Sequence, residues 1–336
     1  MSADRDFAYG AAAGLLGDLL LGDPRRGHPV AAFGRAAAAV ERTLWRDHRG
    51  WGALHTVVCA GGAAGAAALA TTLVRRSRAG SVALTAAATW AVVGGTSLGR
   101  EARAVGGALA AGDIEVARER LPHLCGRDPQ ALDADGIARA VVESVAENTS
   151  DAVVGALVWG ALAGVPGLVA FRAVNTLDAM VGHRSARYRR YGWASARLDD
   201  VFGWPGARLT AGLAALAGDA PRGALRAWRD DAGKHPSPNA GPVEAAFAGA
   251  LGVRLGGTLS YGGRIEHRPV LNGAGREVRV ADIDRAAELS RRVGLLALGT
   301  VVGARWALRS AMSLRSAVSL RSAMSLRSAK SGRGKA

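Results

Sequence analysis

Lysine is nearly missing from this chain, with 3 residues against 40 arginines in 336. Aromatic residues make up only 5%, so the 49% hydrophobic content is mostly Ala, Leu and Val, set among 46 glycines. There are two cysteines, Cys59 inside an apolar run and Cys125 outside one, which excludes a disulfide framework or a cysteine-rich zinc site. No Gly-x-x-x-x-Gly-Lys-Ser/Thr occurs, and no Gly-x-Gly-x-x-Gly joins a strand to a helix. A nucleotide would therefore have to be held without either usual loop. The first apolar segment, Phe7 to Gly22, has no basic region before it, since Asp4, Arg5 and Asp6 nearly cancel, and no small-residue cleavage pattern follows. It is expected to belong to the mature protein rather than to a signal peptide.

Charge is also missing from three long stretches. Gly50 to Val74, Ala79 to Gly99 and Ala152 to Phe171 contain no Asp, Glu, Lys or Arg over 25, 21 and 20 residues. Each meets the roughly 20 residues that a helix needs to cross a bilayer core. Gly61 with Gly65 and Gly95 with Gly99 are spaced to let helices approach closely. Weaker segments are Phe7 to Gly22, Val201 to Gly218 and Val293 to Leu308, interrupted by Asp18, Arg208 and Arg305. The reading is an all-α integral membrane protein, a polytopic helical bundle. The alternative is a large buried helical core.

The net charge of +15 does not point to nucleic acid, because its distribution is lopsided. From Arg305 onward there are eight basic residues and no acids. The same region repeats LRSAMS, LRSAVS, LRSAMS from Leu308 to Ser325, a period of six that sustains no helical face. Residues 309–336 are expected to be a disordered basic tail that touches anionic lipid or is simply solvated, and 1–308 a single membrane-embedded unit. Polar segments of that unit are 23–49, 100–151 and 172–292. Asp113 and Asp128-Pro129 read as helix starts, giving helices over Ile114 to Leu121 and, after a break near Gly136, Ile137 to Asn148. A small β element is expected over residues 266–280 around Asn272-Gly-Ala-Gly, and Asp282 as the cap of a last helix.

Three carboxylates, Glu143, Glu147 and Asp151, stand four residues apart immediately before the run Ala152 to Phe171. At about 100° per residue they share one helical stripe, with Asn148 beside them. Like charges so placed are costly unless a cation or basic ligand meets them. Beyond the run, Arg172, Asn175 and Asp178 are again spaced for one face, and GHRSARYRRYGWASARLDD follows with Arg184, Arg187 and Arg197 before Asp199-Asp200. Guanidinium forks suit phosphate and carboxylate, and paired carboxylates suit Mg²⁺, although a basic juxtamembrane loop would look similar. GDLLLGDPRRGHPV groups Asp18, Asp23 and His28 around Arg25 and Arg26, which also fits a plain helix cap. KHPSPNAGPVE offers Lys234, His235, Ser237, Asn239 and Glu244 on a backbone stiffened by Pro236 and Pro238, and Tyr261-Gly262-Gly263 follows.

In this order the motifs GDP…HPV, ESVAENTSD, AVNTLDAMVG, RYGWASARLDD and HPSPNAG resemble the adenosylcobinamide-phosphate synthase family of cobalamin biosynthesis, the CobD/CbiB type, from about Gly17 to Leu308. Departures are His183-Arg184-Ser185 in place of a Tyr-Lys-Asn and Gly155-Ala156 in place of an Ala-Pro. The resemblance implies a multi-pass enzyme of the cytoplasmic membrane that uses ATP and Mg²⁺ to join adenosylcobyric acid to aminopropanol or aminopropanol phosphate. It implies Glu143, Glu147, Asp151 and Asp178 as catalytic acids or bases, and Asp199 and Asp200 as Mg²⁺ ligands. Substrate contacts would come from His28, Asn148, Asn175, Arg184, Arg187, Arg197, Lys234, His235, Ser237 and Asn239. Homo-oligomerisation, or association with other corrinoid-pathway membrane enzymes, is compatible with it. The alternatives are a non-enzymatic signalling protein of the same superfamily and a transporter, the latter disfavoured because the acids precede the apolar run rather than interrupt it.

One geometric conflict has to be resolved for a single active site to exist. As a straight helix, Ala152 to Phe171 would separate its ends by about 30 Å and put Glu147 and Asp178 on opposite sides of the membrane. Gly164-Val165-Pro166-Gly167 is a turn signal in mid-run. The expectation is a re-entrant helical hairpin with both motifs facing the cytoplasm, against the pull of the basic turn at Arg75, Arg76 and Arg78.

Overall fold

The computed structural model describes residues 2–23, 27–261 and 264–332, with backbone alone for 2–3, 258–261, 264–267, 309 and 311–332. Arg25, Arg26, Gly262 and Gly263 therefore lie outside the described residues, as do the side chains of most of the repeat. The chain is helical nearly throughout, and three helical stretches are long and apolar enough to cross a membrane: Arg49–Val74, Arg78–Ala110 and Ala134–Gly182. Only 11% of the first is buried against the protein, so its apolar surface faces outward. A helix that is apolar all round yet unburied is built for lipid. The fold is that of a polytopic helical membrane protein.

Helix α1 (Ser2–Leu21) lies against α5 (Arg78–Val92), and α2 (Pro29–Leu44) follows. The first span is α3 (Arg49–Thr56), a π-helical turn Val57–Gly61, and α4 (Gly62–Val74). The expected close crossing at Gly61 and Gly65 is corrected, because both glycines face open space among the described residues. The tight crossing is instead at Gly10 of α1, where an added Cβ would lie 2.5 Å from Thr85 Cβ of α5. Helix α5 returns toward Gly94, whose N–H meets the Ala152 carbonyl at 3.4 Å, and continues through α6 (Gly95–Ala110).

The third stretch runs through α8 (Ala134–Thr149), a π turn Ser150–Val154, α9 (Gly155–Leu177) and a second π turn Asp178–Gly182. It is not straight. Gly164 adopts φ 68° and ψ −155°, backbone that only glycine holds without strain, and Pro166 follows two residues later. The two arms fold back on each other. A Cβ added at Gly155 would fall 2.2 Å from the Phe171 ring, and one at Gly167 2.4 Å from the Trp159 carbonyl. Asn175 Nδ2 reaches Asp151 Oδ2 at 3.3 Å, where a straight helix would separate residues 24 apart by about 36 Å. The helical hairpin read from the sequence is the observed shape.

Freed backbone at the hairpin tip must find partners inside the protein. Arg305 of α13 (Ala281–Gly332) donates to the Ala161 carbonyl, pairs with Asp4 of α1 at 3.1 Å, and lies 4.7 Å over the Phe7 ring. The polar segments are themselves mostly helical. Asp113 caps α7 (Ile114–Arg120) as expected, accepting from Val116 N–H at 3.1 Å. Asp128 caps only a 3₁₀ turn, Pro129–Ala131, and α8 starts earlier than expected because Asp133 accepts from Gly136 N–H at 2.8 Å. Gly136 is thus a first-turn residue rather than a break. An alanine-rich core joins α6 and α8 to α10 (Trp193–Ala217), α11 (Pro221–Asp231), α12 (Ala240–Leu251) and the start of α13.

The β element also sits earlier than 266–280. Strands β1 (Leu255–Tyr261) and β2 (Arg264–Leu271) pair antiparallel, with a bulge between Leu255 and Gly257. Gly256 and Gly257 both have positive φ, which hides the strand pattern in a Gly-Gly pair. Asn272 to Gly275 turns the chain after β2 rather than within the hairpin. The backbone of α13 continues through the hexapeptide repeat to Gly332.

Because α9 doubles back, residues before and after it are expected on one side of a bilayer, with the Arg75–Arg78 turn, at the far end of the first span, on the other. In a background with Cys59 and Cys125 replaced by serine, single His123→Cys and Arg184→Cys proteins should react with an impermeant thiol reagent from the same side. Arg76→Cys should react from the other. Labelling of 123 and 184 from opposite sides would mean that α9 spans.

Candidate active site

The two π turns flank the hairpin mouth. Each carries one of the candidate acids, Asp151 or Asp178. A π turn inserts an extra residue into the helical repeat and re-aims the side chains around it. Here it turns both aspartates toward a cavity of about 820 Å³ at the open end of the hairpin. Walls are added by α8, by the loop Leu124–Arg127, by the first turns of α10 and α12, and by Arg268 of β2.

Eleven sequence-predicted site residues line this one space: Glu143, Glu147, Asp151, Asp178, Arg184, Arg197, Asp199, Asp200, His235, Ser237 and Asn239. They come from segments up to about a hundred residues apart. Asn175 stands just behind and links two acids, its Nδ2 donating to Asp151 Oδ2 at 3.3 Å and to Asp199 Oδ1 at 3.4 Å. Arg172 Nη1 lies 3.5 Å from Asn175 Oδ1 and fixes which way the amide points. Burial and then the neighbouring Asp178 push the Asp199 carboxyl up to about 7.

Four predicted residues are placed elsewhere. His28 caps α2, its Nδ1 accepting from Val30 N–H at 3.2 Å, with Asp23 at 3.8 Å from Nε2. Asn148 turns back along α8 to the Ser144 carbonyl at 2.9 Å. Arg187 pairs with Glu41 at 3.2 Å and stacks 4.7 Å over Trp45. Lys234 is exposed and bonds Asp231 at 2.5 Å. His28 is thus a helix cap, Asn148 and Lys234 bond within one turn of themselves, and Arg187 reaches across to Glu41, 146 residues away.

The acids at the two ends of one helical stripe differ in kind. Glu143 is 3% exposed, receives Arg127 on one oxygen, and accepts Gly256 N–H at 2.7 Å on the other. It joins α8 to the Cys125–Arg127 loop and to the β hairpin. Glu147, one turn on, is open to the cavity and bonds no described residue.

Two charged lining residues, Arg127 and Arg268, are absent from the sequence reading, and Glu244 stands in its KHPSPNAGPVE motif without an assigned role. His235 Nδ1 accepts from Ser237 N–H at 3.0 Å, while its Nε2 lies 3.5 Å from Arg268 Nη1 and 3.7 Å from Glu244 Oε1. Burial, followed by Arg268, lowers the His235 pKa and keeps the ring neutral. Burial, followed by Glu143 and Glu147, raises the Glu244 carboxyl well above the ordinary range. A surplus of acids in the motifs signals that cations must arrive from elsewhere, but not which arginines supply them. Among the described residues no group of three or more His, Cys, Asp or Glu side chains forms a ready-made metal centre. The cavity is thus acidic beside the π turns and basic beside Arg127 and Arg268.

Comparison with known proteins identifies a family. The CobD/Cbib protein family model matches residues 11–290. Cobalamin biosynthesis protein CobD of Mycobacterium tuberculosis (strain ATCC 25618 / H37Rv) is 54% identical over 292 residues, 85% of this chain and 92% of that protein. The protein of the same name from Chromobacterium violaceum is 45% identical over 283 residues, 83% and 90% of the two chains. That of Rhodobacter capsulatus is 40% identical over 301 residues, 87% and 96%. No solved structure matches. With a family model covering most of its length and relatives covered almost end to end, the chain belongs to the CobD/CbiB family of cobalamin biosynthesis.

Proposed function

We propose that the chain is an ATP-dependent amide ligase, which joins the free propionate carboxylate of adenosylcobyric acid to the amine of (R)-1-aminopropan-2-ol or its phosphate. The observation that carries this reading is the single cavity in which Glu147, Asp151, Asp178 and Asp199 face Arg127, Arg184 and Arg268. Amide formation from a carboxylate needs both halves: a basic wall to hold anionic reactants and an acidic wall to receive an ammonium and a cation. MgATP would supply the phosphoryl group that lets the carboxylate oxygen leave as phosphate, with ADP the other product.

The residues divide the work. Arg127, Arg184 and Arg268 bind phosphate or carboxylate through planar forks of donors. Mg²⁺ takes one or two carboxylates together with substrate oxygens, so the oxygen-only set of Asp178, Asp199 and Asp200 suits it without a preformed centre. Glu147 takes the proton that the incoming ammonium must lose. Glu143, with both oxygens engaged, holds the wall in place rather than touching the reactants. The cavity faces the cytoplasm in this reading.

Membranes containing the chain should form adenosylcobinamide phosphate from adenosylcobyric acid, aminopropanol phosphate, ATP and Mg²⁺. Absence of product from correctly inserted protein would remove the ligase reading. Glu147→Gln should cut turnover by about 100-fold or more with an unchanged thermal midpoint in nanodiscs. Glu143→Gln should do the reverse of that balance, losing roughly 3 kcal/mol of stability because an amide N–H₂ then faces the Arg127 guanidinium. Truncation after Leu308 removes no lining residue and keeps Arg305, so its specific activity should equal that of the full chain.

A further inference from the structure

The first span begins beside a second basic segment, and the two meet at one surface. Arg49 of α3 stacks 5.3 Å over Trp193, the first residue of α10, and Arg187 stacks 4.7 Å over Trp45. Arg190 lies 3.7 Å from Asp47, so segments 45–51 and 187–193 are joined through side chains at three points. Within the first segment, Arg46 stands 5.9 Å over Trp51. The join is firm underneath. A Cβ on Gly52 would collide with the Tyr191 carbonyl, and the Thr56 and Ser195 hydroxyls meet at 2.8 Å in a buried contact.

Charge on this surface is one-sided. Segments 41–51 and 183–193 hold seven arginines against two acids, Glu41 and Asp47, and both acids are already paired, with Arg187 and Arg190. Arg46 and Arg49 are exposed and form no ion pair among the described residues, although Arg46 donates one N–H to the Trp45 carbonyl at 2.7 Å. A guanidinium stacked on an indole still presents its in-plane N–H edge to an oxygen acceptor.

The helix that starts here sets the depth of the surface. Arg49–Val74 is only 11% buried, and its apolar side chains face outward, so Arg49 marks the level at which that helix leaves lipid. Trp51 and Trp193 are 42% and 43% exposed, and indoles collect at such a boundary. Leu54 and Val58 follow Trp51 at helical spacing and are also exposed, so the basic surface continues into side chains that face lipid. An occupant of the whole face needs an anionic head and an apolar body. A nucleic acid and a free phosphate both lack the second.

We propose that this surface binds an anionic phospholipid, with its phosphate on Arg46 and Arg49 and an acyl chain along Leu54 and Val58. The same short segment carries Arg184 on the wall of the 820 Å³ cavity and Arg187 and Trp193 on the lipid surface. A bound lipid therefore packs against the start of α10, whose Arg197 and Asp199 line that cavity. The inference rests on the membrane fold and not on the ligase reading.

The probe is phosphatidylglycerol, titrated into full-length protein in a non-ionic detergent, with phosphatidylcholine of the same chains as comparison and native mass spectrometry as readout. A saturable first binding step is expected, at least ten-fold tighter for phosphatidylglycerol. An arginine near an anionic surface contributes about five-fold in affinity, so Arg46→Gln together with Arg49→Gln should weaken that step by about ten-fold or more. Arg222→Gln together with Arg226→Gln, exposed on α11, should leave it unchanged. If the first double variant does not fold, each of its single variants decides, with a loss of about five-fold. No preference for phosphatidylglycerol, a preference retained without Arg46 and Arg49, an equal loss in the α11 variant, or a loss on truncation after Leu308 would each overturn the proposal. So would displacement of the lipid by excess inorganic phosphate, because the arginines would then be holding a free anion.

Discussion

Everything at the active-site cavity depends on one backbone conformation, the φ of 68° at Gly164. A side chain there would resist it, and a helix without it would carry Asp151 and Asp178 to opposite faces of the bilayer. The break turns 23 residues that look like a span into two arms, and the loss of continuous helix is offset by arm-on-arm packing of Gly155 on Phe171 and Gly167 on Trp159. Glycine is needed twice over, once for the turn and once for the close approach. The chemistry at the mouth is thus set from the buried end of the hairpin.

A second dependence follows from putting so many acids in one place. Burial first, and then repulsion from neighbouring carboxylates, favours the protonated forms of Asp199 and Glu244. The fold supplies compensation in layers. Arg127 and a backbone N–H hold Glu143, Asn175 bridges Asp151 and Asp199, and Arg172 backs Asn175. What is left open to the cavity, above all Glu147, is the part of the charge that no described residue hydrogen-bonds.

Much of this was legible in the sequence, for identifiable reasons. Acids at a spacing of four, and a Gly-x-Pro-Gly inside an apolar run, are local signals, and both led to the observed hairpin and to most of the cavity lining. Partners brought by distant chain were not legible. Arg268 arrives on a strand whose register no pattern announces, and the donor to Glu143 is Gly256, 113 residues away. Glu143 and Glu147 look equivalent on a helical wheel, and only the β hairpin docked on one of them makes them different. His28 and Lys234 lie outside the cavity lining, in a helix cap and a three-residue ion pair that the sequence does not announce. Gly61 and Gly65 misled for another reason: among 46 glycines, spacing alone does not identify a crossing.

Arg305 has a consequence for the order in which the protein assembles. The carbonyl it satisfies at Ala161 was made 144 residues earlier, and Asp4, its carboxylate partner, 301 residues earlier. A nascent chain that has already inserted both hairpin arms still lacks the donor that closes their tip. Until the final helix emerges from the ribosome, the hairpin is a provisional structure, and the last apolar segment acts as the latch that makes it permanent.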